Sequence, residues 1–92
     1  MPTVELTPHL YQFFPGLKGR ELEIEGSTVA EVVRGIEAIA PGLAFYICDE
    51  LGRLRHHVNI FIGDERVTDR ATLTDRVDRA SRISIIQALS GG

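Results

Sequence analysis

The sequence predicts an α+β domain in which one helix covers one face of a single sheet. Two stretches of polar–apolar alternation open the chain, at residues 3–7 and 20–25. One amphipathic segment follows at 29–40, and strand-like runs close the chain, the strongest at 58–62 and 82–87. Period-two alternation marks a half-buried strand, and apolar residues three and four apart mark a helix face. One helix covers only one face of a sheet, so the other is left to solvent or a partner.

In residues 3–7, Val4 and Leu6 alternate with Thr3, Glu5 and Thr7. Residues 8–19 read as a loop, broken by Pro8, Pro15, Gly16 and Gly19. Leu10, Tyr11, Phe13 and Phe14 within it predict that part of the loop packs on the core. In 20–25, Leu22 and Ile24 face in while Glu21, Glu23 and Glu25 face out, and the two strands predict a hairpin. Thr28 is the expected N-cap of the helix, with Glu31 placed three residues later as in a capping box. Val29, Val32, Val33, Ile36, Ile39 and Ala40 form its expected apolar stripe, and Pro41-Gly42 ends it.

Residues 45–48 are a short strand candidate, and 49–55 a connecting turn around Gly52. In 58–62, Val58, Ile60 and Ile62 share one face, with Asn59 and Phe61 on the other. Gly63-Asp64 is a turn dipeptide leading to a short edge strand at 65–67. Residues 68–79 are polar and irregular, anchored by Leu73 and Val77. In 82–87, Ile83 and Ile85 face one way and Ile86 the other.

The composition bounds the function. Hydrophobic residues at 43% and charged residues at 25% are globular rather than disordered. A chain of 92 residues carries one small core, which disfavours a deep two-walled cleft. Residues 1–87 are expected to be the domain and 88–92 a tail. The net charge of -3 argues against nucleic acid, which selects a basic face. Cys48 is the only cysteine, so no internal disulfide calls for an oxidising compartment. No basic segment followed by an apolar run opens the chain, and no run reaches the roughly 18 apolar residues of a membrane span. The expectation is a soluble, cytoplasmic protein without a membrane partner.

The first chemical candidate is the end of the chain, Ala88-Leu89-Ser90-Gly91-Gly92. Glycine lacks a Cβ, so two in succession make a thin terminus. Five extended residues reach roughly 17 Å, enough to thread into another protein's active site. The reactive group of such a tail is its terminal carboxylate, a poor electrophile until it is activated, as in an acyl-adenylate made with ATP. The bland reading of the same residues is a frayed end.

Thr28-Val29-Ala30-Glu31-Val32-Val33 followed by Pro41-Gly42-Leu43 resembles the first helix of the MoaD/ThiS family of ubiquitin-like sulfur carriers. His57-Val58-Asn59-Ile60-Phe61-Ile62 resembles the family's central strand. Arg82-Ile83-Ser84-Ile85-Ile86, running on to Gly91-Gly92, resembles its last strand. The resemblance implies a β-grasp fold, a mixed sheet curled around one main helix. It implies that an adenylating enzyme related to ubiquitin-activating enzymes uses ATP to activate the carboxylate of Gly92, which then becomes a thiocarboxylate. Leu89, Ser90 and Gly91 would form the tail that delivers it. A sulfur-accepting enzyme, such as a molybdopterin synthase large subunit, would use the sulfur. The chain would hold no cofactor and would be a protein co-substrate, not an enzyme, although it could be the small subunit of a molybdopterin-synthase-type sulfurtransferase.

There are departures from the family pattern. Gln87-Ala88 stands where the family often has a proline, Asp78-Arg79-Ala80-Ser81 where an Asp-Gly-Asp turn is common, and Gly63-Asp64 where Asn-Gly is common. They touch the subfamily more than the fold. The stretch 51–67 is similar to longer members, those feeding molybdopterin and cysteine synthesis. Molybdopterin synthesis is the leading expectation, with cysteine or thiamine synthesis as alternatives. A protein modifier passed to lysines is a rival, because activation is shared. A non-reactive binding subunit is the second rival.

Three smaller candidates remain. Phe61 and Ile86 are expected on the uncovered sheet face beside the tail, where an exposed apolar patch marks a partner site. The alternative is that Phe13 and Phe14 fold over them. His56-His57 are adjacent and should point to opposite faces, so with one Cys and no ligand cluster, no metal site is expected. Cys48, beside Phe45, Tyr46 and Ile47, is expected to be a buried, inert thiol rather than a persulfide relay.

Overall fold

Strand pairing begins with β1 (Thr3–Leu6), which lies antiparallel to β2 (Leu22–Glu23) through Thr3↔Glu23 and Val4↔Leu22. The computed structural model describes residues 1–19 and 21–87. On its other edge β1 runs parallel to β5 (Arg82–Gln87), with Val4 opposite Ile83 and Leu6 opposite Ile85. β5 is in turn antiparallel to β3 (Val58–Ile62), which pairs with the short β4 (Glu65–Arg66) across the Gly63-Asp64 turn. Among the described residues the five strands form one mixed sheet in the order β2-β1-β5-β3-β4. The last strand in sequence therefore sits at the centre.

Cross-strand partners share a face. Val4, Leu6, Val58, Ile60, Ile83 and Ile85 all point inward and are buried. Helix α1 (Val29–Ile39) covers them with Val29, Val32, Val33 and Ile36. This is the β-grasp arrangement that the resemblance implied, and among the described residues no polar or charged residue is buried.

The α1 N-terminus follows the expected capping logic with one change. The Glu31 N–H donates to Thr28 Oγ1 at 3.2 Å. The Glu31 carboxylate reaches back to the Ser27 N–H (2.8 Å), not to that of Thr28. The two remaining donors of the first turn are met from the 68–77 loop: Val29 N–H donates to Asp75 O and Ala30 N–H to Leu73 O. Ile39, expected in the apolar stripe, is 44% exposed. Its direction lies at the stripe's edge, about 80° from Val29 at 100° per residue.

Of residues 45–48, expected as a strand, 45–47 instead belong to α2 (Leu43–Ile47), and only Cys48 is extended, bridging antiparallel to Leu54. Leu43 and Ile47 lie one turn apart and both are buried, so a single turn of helix satisfies the core. Gly42 enters it at φ 97°, and the Glu37 carboxylate accepts from the Gly42 N–H (2.8 Å) and the Ala44 N–H (3.0 Å). A carboxylate there matches the positive end of the helix. The 20–25 strand is shorter than expected: among its described residues only Leu22–Glu23 pair, although Ile24 N–H still donates to Pro2 O.

Candidate functional site

Four of the nominated residues, Leu89, Ser90, Gly91 and Gly92, lie outside the described residues, as does the proposed division into domain and tail. The structure does show their root. Gln87 ends β5 opposite Val58, and its N–H donates to Thr7 Oγ1 at 2.8 Å. The Thr7 hydroxyl donates to Ile85 O (3.1 Å), and the Thr7 N–H donates to the same carbonyl at 3.0 Å. One threonine thus prolongs the β1–β5 ladder past the end of β1. The strand's direction is held from both sides up to its last described residue.

The structure places both nominated docking residues on the outer face. Ile86 is 47% exposed and Phe61 is half-buried. Ile86 is opposite Asn59 and Phe61 opposite Ser84, so the two apolar side chains are diagonal neighbours across the β3–β5 pair. The Arg66 guanidinium lies 5.8 Å from the Phe61 ring centroid. The loop that was the alternative cover goes elsewhere. Phe13 stacks on Tyr46 with ring centroids 5.1 Å apart, and Phe14 meets the same ring edge-on at 5.7 Å. Its aromatics cover α2 and leave Ile86 open.

A groove of about 460 Å³ at the end of β5 was missed by the sequence reading. It is lined by Phe45, Tyr46, Arg55, His57 and Gln87. It exists because α2 replaces the expected strand and turns Phe45 outward, 61% exposed. The Arg55 guanidinium lies 5.8 Å from the Phe45 ring centroid, and its Nε donates to Phe45 O at 2.7 Å. Arg70 closes the neighbouring turn: its Nη2 donates to Arg55 O (2.7 Å) and Val58 O (2.9 Å), and its Nη1 to Asn59 Oδ1 (3.2 Å). The one available signal was the spacing of Leu43 and Ile47 after Pro41-Gly42. The long-range reach of Arg70 left none.

His56 and His57 sit in that turn, not on β3, with ring centroids 5.3 Å apart. His57 Nε2 lies 3.2 Å from the side-chain nitrogen of Gln87. Among the described residues no three His, Cys, Asp or Glu side chains gather as metal ligands. Cys48 is buried, and burial raises its thiol pKa; the Asp49 charge adds to the rise and Arg55 partly opposes it. Both effects keep it a poor nucleophile. Among the described residues no helix is long and apolar enough to cross a membrane.

No protein-family model and no curated protein matches the chain. Solved structures do. A chain of the Amycolatopsis orientalis BexX/CysO complex superposes with TM-score 0.84 at 24% identity, covering 100% of both chains. Mycobacterium tuberculosis CysO, described as an antigen, superposes with TM-score 0.82 at 24% identity, over 97% of this chain and 100% of that one. Small archaeal modifier protein 1 (SAMP1) of Methanosarcina acetivorans follows at TM-score 0.77 and 22% identity, over 99% and 95%. At these identities the likeness establishes the fold. The described residues have the ubiquitin-like β-grasp fold, and the resemblance read from the sequence is borne out at that level.

Proposed function

We propose that the protein is a sulfur carrier whose working group is the carboxylate of Gly92. The single observation that carries this reading is the placement of β5. It is the central strand of a fold shared with CysO and SAMP1, pinned by Thr7 and Val58 up to Gln87, and it continues in sequence as Ala88-Leu89-Ser90-Gly91-Gly92. An adenylating enzyme related to ubiquitin-activating enzymes consumes ATP to activate the carboxylate, and a sulfur donor converts it to a thiocarboxylate. A biosynthetic enzyme then takes the sulfur. The chain itself binds no cofactor and acts as a co-substrate in the cytoplasm. Phe61 and Ile86 dock the partners. The occurrence of a CysO in complex with BexX supports a partner protein of this kind.

Molybdopterin synthesis, the leading expectation, receives no specific support from these likenesses. Among the pathways the resemblance left open, the likeness to CysO favours cysteine synthesis. The test is intact-mass spectrometry of native protein carrying no C-terminal tag. A fraction heavier by the difference between one sulfur and one oxygen, lost after thiocarboxylate-specific alkylation chemistry and absent from Gly92→Ala, is the expected result. An unmodified mass after incubation with ATP, the activating enzyme and a sulfur donor would refute the reading. The likeness to a small archaeal modifier protein favours one second reading, transfer of the activated carboxylate to lysines. Isopeptide-linked adducts ending in Gly91-Gly92 would establish it.

A further inference from the structure

We propose that the groove bounded by Phe45, Tyr46, Arg55, His57 and Gln87 is a second docking surface, which takes an acidic, extended segment of the enzyme that receives the tail. The inference rests on the tail being the working end of the molecule. The groove opens at Gln87, the last residue of β5 and the one from which residues 88–92 continue in sequence. Among the described residues its lining holds one guanidinium, one imidazole, one carboxamide and one phenol, and no carboxylate. The chain as a whole carries a net charge of -3, so a lining with an arginine and no described acid departs from the chain's overall balance.

The charge here is also unspent. The ion pairs among the described residues are Arg53 with Asp49 and Arg82 with Glu5. Arg55 and Arg70 have no carboxylate within pairing distance among those residues. Arg70 spends its donors on two carbonyls and an Asn side chain, and Arg55 spends only its Nε on Phe45 O. The terminal amino groups of Arg55 remain beside an exposed phenyl ring. Arginine next to an aromatic anchor is the composition of protein-binding surfaces. A groove of similar size, about 450 Å³ between α1 and α2, has Glu37, Asp49 and Glu50 against Arg34 in its lining and lacks this bias.

The occupant is a protein segment rather than the phosphate of an acyl-adenylate. Five residues separate the groove residue Gln87 from the carboxylate of Gly92 in sequence, and an extended run of that length reaches up to roughly 17 Å. What stays beside the groove is the rim of the partner's tail-binding channel. A carboxylate on that rim pairs with Arg55, and an apolar side chain packs on Phe45. Such charges set encounter rate and orientation and are screened by salt.

The experiment is an amide NMR titration of the intact chain with a short capped peptide of Asp and Glu interleaved with Leu and Phe. The control peptide has Lys in place of every acid. The proposal expects shifts gathered on Phe45, Tyr46, Arg55, His57 and Gln87 with the acidic peptide, weakened by added salt. Arg55→Gln, which keeps a side-chain donor but no charge, should weaken binding about tenfold. Phe45→Ser, at an exposed site, should also weaken it with the rest of the spectrum intact. Equal binding of both peptides, shifts gathered on another face, self-association in place of peptide binding, or no binding at millimolar peptide would each overturn it. The result is independent of the chemistry of Gly92: a groove that binds the acidic peptide on a chain that never carries sulfur retains the docking surface and removes the carrier reading, and the converse result does the reverse.

Discussion

Gly35 is the residue on which the approach of α1 to the sheet depends. A Cβ built there would collide with Cγ2 of Ile24, just beyond β2. Ile24 is itself buried, so it has little room to move aside. Gly35→Ala gains helix propensity but forces the two elements apart, and the strain should dominate. The expected loss is about 1–3 kcal/mol, read as a lower urea midpoint. An unchanged or raised midpoint would show that the helix does not sit this close. Thr28→Ala removes the acceptor for the Glu31 N–H and should cost about 1 kcal/mol. Cys48 gives a separate chemical check: a buried thiol with a raised pKa should resist alkylation in the native protein and react only on unfolding.

The 68–77 loop shows how an element without regular structure can hold one that has it. Its carbonyls at Leu73 and Asp75 receive two N–H groups of the α1 first turn. Its own shape is set by Asp75, whose carboxylate accepts from the N–H and hydroxyl of Thr68 and from the N–H of Asp69. The Thr68 N–H is the main cause that lowers the pKa of Asp75; the Ser27 N–H does the same for Glu31 and the Gly42 N–H for Glu37. A carboxyl whose folded pKa is depressed contributes stability that is present above its unfolded pKa and is lost as pH falls through the folded value. Melting temperature should therefore hold near neutral pH and fall below about pH 4. Asp75→Asn leaves an amide donor facing the N–H of either Thr68 or Asp69, so it should melt lower at pH 7 and show a shallower acid limb. An acid limb identical to the parent would remove Asp75 from the account. The regular elements were legible in the sequence where their determinants are local. The cap at Thr28 and the stripe Val29 to Ile36 lie within one short window, and Val58-Asn59-Ile60 states its own alternation. The α2 helix was not legible, because its capping carboxylate, Glu37, lies on the preceding helix and its aromatic residues read equally well as a strand. The groove depends on that helix and on Arg70 reaching back to Arg55, so it was invisible for the same reason. The nominated patch was legible because strand alternation alone sets the direction of Phe61 and Ile86.

At the scale of the whole molecule, the chain has one helical layer and one bare sheet face. The core side is closed by α1, α2 and the loop that packs Phe13 and Phe14 on Tyr46. The bare side carries the Glu5–Arg82 ion pair (2.6 Å) toward β1 and the Phe61–Ile86 pair toward β3, with the tail root at the end of the same strand. An exposed ion pair contributes little stability, and Phe61 lies outside the core, so this face is not what holds the fold together. That separation permits a decisive substitution. Phe61→Asp should lower folding stability by about 1–2 kcal/mol, since a half-buried ring loses its cross-strand contacts and part of its burial while the core stays intact. It places an uncompensated carboxylate in the apolar centre of the expected interface, where an unpaired buried charge is strongly disfavoured. Association with the proposed activating enzyme, followed by isothermal calorimetry, should weaken by about tenfold or more, while far-UV circular dichroism keeps the parent's shape and melting stays cooperative. Ile86→Asp, on the diagonal neighbour, should do the same, and Glu5→Gln at the polar end of the face should not. Weakening by all three alike would mean that the partner reads the sheet's overall charge and not the apolar patch. Tight association of Phe61→Asp would move the docking site off this face altogether.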